Sequence, residues 1–78
     1  MLIIFYDITH EEHWVKYDIV YHIALSEEYL RIILDTDKEQ YVMRFLTEDD
    51  YNDAYDHLLD CILNDKQFAD LSAFQHIT

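Results

Sequence analysis

The chain has 78 residues, 17 Asp and Glu against five Lys and Arg, and a formal net charge of −12. That excess disfavours direct nucleic-acid binding, which draws its affinity from Lys and Arg. The absence of Gly and Pro removes every motif that wraps a phosphate in a glycine-rich loop. The length predicts one domain spanning 1–78, and the 15% aromatic content argues against disorder.

Leu2 to Ile8 is an alternating apolar run and predicts a strand over 2–8. The run is short, lacks a basic region and contains Asp7, so neither a signal peptide nor a membrane span is expected. Thr9 with Glu12 three residues on is a capping-box pattern and predicts a short helix or turn. From Tyr17 the odd positions Tyr17, Ile19, Tyr21, Ile23 and Leu25 give a period of two, favouring a strand over 17–25. Trp14, Tyr17, Tyr21 and Leu25 also fit a helix from His10 to about Leu25, and the two readings stay open.

Leu30, Ile32 and Leu34 predict a strand over 29–34, with Tyr41, Met43 and Phe45 marking another over 40–46. The five polar residues from Asp35 to Glu39 between them make a hairpin. Thr47 begins a second capping pattern with three acids behind it. Tyr51, Ala54, Tyr55, Leu58, Leu59, Ile62 and Leu63 then recur at helical spacing, predicting a helix over 48–63. Lys66 to Phe74 is expected to form a further short helix over 66–74. Strands followed by helices imply an α+β fold: an antiparallel sheet of about four strands covered on one face by helices.

Opposite its apolar stripe the long helix presents Asp49, Asp53, Asp56 and Asp60, spaced by four, three and four residues. That spacing places them on one face, where like charges cost about 0.2–0.5 kcal/mol per pair. No Lys or Arg lies between residues 45 and 65. The row spans about 16 Å and is sparser than duplex DNA, so a phosphate mimic draws on further acids. Glu48 and Asp50 beside it, Asp35, Asp37 and Glu39 in the hairpin turn, and Glu27 and Glu28 before the hairpin are the candidates.

Charge and element order together resemble the small acidic α+β inhibitor proteins that phages and mobile elements encode. These are nucleic-acid mimics that block uracil-DNA glycosylase, restriction enzymes or CRISPR effectors. The Leu30–Leu34 and Tyr41–Leu46 hairpin with the acid-capped helix looks like the layout of an anti-CRISPR type. The resemblance covers about half the chain and carries no specific motif, so it transfers no residue role. It implies a non-enzymatic inhibitor whose partner is a basic protein, a nucleic-acid-binding protein or nuclease. Two other readings stand beside it: an immunity protein or antitoxin for a basic toxin, and a homodimeric or accessory subunit.

His10, Glu11, Glu12 and His13 form a cluster, but its histidines are three apart and do not match the zinc-protease motif. His57 and Cys61 lie four apart on the long helix. Neither pair alone supplies the three or four ligands zinc requires, so no metal or other cofactor is expected. The single cysteine permits no intrachain disulfide, which fits a cytoplasmic protein.

Overall fold

The computed structural model describes residues 1–76. Six strands form two three-stranded sheets, joined by one long helix into an α+β fold. The strands are β1 (Leu2–Tyr6), β2 (Glu12–Lys16), β3 (Val20–Ser26), β4 (Arg31–Thr36), β5 (Gln40–Arg44) and β6 (Phe68–Asp70). The helix, α1, is Glu48–Leu63, and short 3₁₀ turns cover Tyr17–Ile19 and Leu71–Phe74.

The first sheet has the order β2-β1-β6. β1 and β2 are an antiparallel hairpin, with Phe5 opposite His13 and Ile4 opposite Trp14. β6 runs parallel to β1, Leu2 beside Phe68 and Ile4 beside Asp70. The Gln75 side chain extends this edge, accepting from Tyr6 N at 3.0 Å and donating to Tyr6 O at 2.8 Å. The second sheet is the antiparallel meander β3-β4-β5, with a bulge between Val20 and His22.

Alternate side chains of both sheets meet in one core. Ile3, Phe5, Val15 and Ala69 come from the first sheet, Ile32, Leu34, Met43 and Phe45 from the second sheet and the residue after β5. Tyr51, Ala54, Leu58 and Cys61 come from one face of α1. Tyr55 and Ile62 flank that stripe and are only partly buried. Burying a side chain of the size of Leu58 or Ile32 contributes about 1.5–3 kcal/mol.

The helix occupies the residues expected of it, and β4 and β5 form the expected hairpin. Of the helix and the turn expected at Thr9, the turn is found: Asp7 Oδ1 accepts from the Thr9 and Glu11 amides at 2.8 and 3.1 Å, folding the segment into a hairpin turn before β2. Three expectations need correction. Residues 17–19 form a 3₁₀ turn, and the strand expected from Tyr17 begins at Val20. The segment 66–74 is not a helix. Phe68–Asp70 joins β1, and the Asp70 carboxylate then caps the 3₁₀ turn by accepting from Ser72 N at 3.1 Å. The single sheet of about four strands is two sheets of three strands.

A chain without glycine still needs left-handed backbone. His10, Leu30 and Asp65 supply it, with φ of 67°, 54° and 52°. For Leu30, an aliphatic residue, that conformation costs roughly 1–2 kcal/mol. No helix among the described residues is long and apolar enough to cross a membrane.

Candidate functional site

The acidic surface is built on α1. Thr47 caps it, its hydroxyl accepting from Asp50 N at 3.1 Å, and Glu48, Asp49 and Asp50 fill the first turn where the helix dipole favours them. The opposite end closes as a Schellman turn. Lys66 N donates to Cys61 O at 3.0 Å and Asp65 N to Ile62 O at 3.4 Å, with Asp65 in the left-handed position glycine usually takes. No basic residue sits in the last turn; the Asn64 side chain serves that end instead, donating through Nδ2 to Asp60 O at 2.9 Å and to Asp60 Oδ1 at 2.7 Å.

Asp49, Asp53, Asp56 and Asp60 are all exposed along one face, as the spacing predicts, and Glu48 is exposed at its start. Asp50 is turned aside and half-buried, with its carboxylate 3.1 Å from His76 Nε2. The hairpin-turn acids divide. Asp37 and Glu39 are exposed, whereas Asp35 accepts from Gln40 Nε2 at 2.8 Å and pairs with His22 Nδ1 at 2.9 Å. The hydrogen bond from His22, followed by that from Gln40, holds the Asp35 carboxyl below its ordinary range. Asp35 is therefore engaged within the fold, while on α1 Asp49, Asp53 and Asp56 make no ion pair among the described residues and Asp60 accepts only from Asn64 Nδ2 at 2.7 Å.

Tyrosine anchors beside the row are scarce. Tyr51 is buried, packing its ring against Phe45 at 6.3 Å, and Tyr55 is half-buried. The freely exposed aromatics lie elsewhere: Tyr21 and Tyr29 at the ends of the β3–β4 hairpin, and Trp14 with Phe68 on the first sheet. Two of the five basic residues, Arg31 and Arg44, face each other across β4 and β5 on the outer side of the second sheet. Arg31 lies 5.7 Å from the Tyr29 ring.

His57 and Cys61 do meet, with Nε2 3.6 Å from Sγ. The thiol is buried, and burial together with Asp60 pushes its pKa up, the reverse of an activated nucleophile. No third ligand joins them among the described residues.

A second constellation forms at the β1–β2 turn from residues that the sequence pairs differently. His13 lies 2.6 Å from Asp7 through Nε2 and Oδ2, with Glu11 beside them, while His10 stands apart. The Thr9 hydroxyl above all, with His13 and the Glu11 and Thr9 amides, holds the Asp7 carboxyl far below its ordinary range against an opposing push from burial. Asp7 is hidden in the sequence as a polar interruption of an apolar run. Its signal is the Asp-x-x-x-Glu-x-His spacing, which only a hairpin brings onto one face. No family model, curated protein or solved structure matches the chain.

Proposed function

We propose that the chain is an acidic, non-enzymatic inhibitor that occupies a basic, nucleic-acid-binding surface of a host protein such as a CRISPR effector or another defence nuclease. The observation that carries this reading is the exposed row Asp49, Asp53, Asp56 and Asp60 with no cation beside it on α1. A helix under selection for stability alone intersperses Lys among such acids, because each like pair costs about 0.2–0.5 kcal/mol. Retaining the row makes sense where a partner supplies the cations.

The row carries one carboxylate per about 4.5–6 Å of helix axis. That is nearer to the ~3.4 Å per charge of a single strand than to the ~1.7 Å of a duplex. Of the hairpin-turn acids Asp37 and Glu39 are exposed, and Asp35 is held by Gln40 and His22. A net charge of −12 steers the chain toward a basic groove and speeds encounter.

The test begins by capturing the partner from the native host with the wild-type chain. Fluorescence anisotropy of labelled nucleic acid on that partner then reads displacement. Wild type should displace it competitively, and the double substitution Asp53→Lys with Asp56→Lys should fail to do so while remaining folded. A stable ternary complex, or undiminished inhibition by the double variant, would reject mimicry by this row.

One observation favours a second reading, an accessory subunit or homodimer. The outer face of the first sheet leaves Trp14 and Phe68 half or more exposed, 6.4 Å apart and edge to face, above the partly covered Leu2 and Ile4. Sedimentation equilibrium decides for or against the dimer; a monomer at all concentrations removes it.

A further inference from the structure

We propose that Asp7, Glu11 and His13 form a binding site for one divalent first-row transition cation of the zinc class. The hairpin itself assembles the donors. Beyond the last paired residues of β1 and β2, Asp7 N still donates to Glu11 O at 2.9 Å, so the two carboxylates stand directly opposite each other. His13, opposite Phe5, is the next residue along β2 on the same face. One ligand atom from each of the three lies within 4.8 Å of the others. A tetrahedral ion with bonds of about 2.0–2.1 Å holds its donors about 3.3 Å apart, so small side-chain adjustments seat it.

Two of the three donors are fixed in place. Asp7 Oδ1 is held by Thr9 N, Thr9 Oγ1 and Glu11 N at 2.8, 2.6 and 3.1 Å, which leaves Oδ2 directed at His13. The His13 ring stacks on Phe5 at 5.5 Å and meets the Tyr41 ring edge-on at 5.0 Å. Such outer contacts orient metal ligands and sharpen affinity. Glu11 is exposed and can swing in as the third donor.

Charge complementarity points the same way. Like charges directly opposite on paired strands are destabilising, and Asp7 faces Glu11 in that arrangement. The groove above them, about 240 Å³, is also lined by Glu39 and Tyr41 of the second sheet and by no Lys or Arg. It thus offers two carboxylates and an imidazole, with room for water at the remaining coordination positions. Imidazole beside carboxylates selects a borderline ion over calcium or magnesium, which prefer all-oxygen shells.

The test is titration of chelator-treated, full-length protein with zinc by calorimetry, and with cobalt(II) by visible absorption. We expect one saturable equivalent and a cobalt spectrum of low coordination number. Glu11→Gln, which changes an exposed side chain, and Asp7→Asn should each weaken binding at least about tenfold, the scale on which even outer-sphere changes act. Asp56→Asn, on the helix, should leave it unchanged. Circular dichroism confirms that each variant is folded, and Glu11→Gln alone decides should Asp7→Asn unfold. Unsaturable uptake, equal uptake by Glu11→Gln, or equally tight calcium binding would each overturn the assignment in favour of cations held loosely by a general acidic surface.

Discussion

Replacing Asp56 by Lys should make the protein more stable. Asp56 stands three residues after Asp53 and four before Asp60, and all three carboxylates are exposed. The substitution removes two repulsive pairs and creates two attractive ones. At about 0.2–0.5 kcal/mol for each of the four changes, the gain is about 0.8–2 kcal/mol, lower in physiological salt. Lys is also a better helix former than Asp by a few tenths of a kcal/mol. For a domain of this size about 1 kcal/mol raises the thermal midpoint by roughly 4–8 °C. Urea and thermal unfolding at low salt should show this gain, and it should shrink in ~1 M salt, where the Debye length falls to about 3 Å. If the row serves a basic partner, the same variant inhibits less well while folding better. A midpoint unchanged or lowered at low salt would refute the reasoning, because the carboxylates would then not repel one another in the folded protein.

Two further outcomes follow from the packing. Leu58→Ala, at a fully buried position between the helix and the sheets, should cost about 2–5 kcal/mol in urea unfolding. The Asp35 carboxyl, lowered by His22 and Gln40, contributes stability that is present above its unfolded pKa of about 3.9 and is lost as pH falls through that value toward the folded one. His22→Ala should therefore be less stable than wild type above the unfolded pKa, with the difference shrinking as pH falls and the carboxyl takes up its proton. A difference that persists in strong acid would assign the effect of His22 to packing.

The sequence carries the helix and the β4–β5 hairpin plainly, because each has many apolar residues on one period and a polar break between them. Where a segment is short, tertiary contacts decide. β6 has three residues, too few for a period to declare itself, and it exists because Leu2 and Ile3 offer it a ladder. β2 alternates, but Val15 is its only fully buried side chain, and the outward Trp14 masks the pattern. The Thr9–Glu12 capping signal is overridden by Asp7, which takes the Thr9 and Glu11 amides for a hairpin turn. The acidic row was legible because helical spacing is enough to place it. The Asp7–Glu11–His13 group was not, since its members converge only once β1 and β2 pair in register.

The central position of β1 sets the order in which the molecule can be completed during synthesis. Its antiparallel partner β2 follows within a few residues, so that hairpin can form early. Its other edge waits for Phe68–Asp70 and for the Gln75 side chain, both reached only after the second sheet and the helix have been made. Until then β1 presents an open hydrogen-bonding edge, and Ile3 and Phe5 lack part of their cover. A nascent or truncated chain ending before Phe68 is thus the form most exposed to edge-to-edge association. Its high negative charge keeps such copies apart until the last strand arrives.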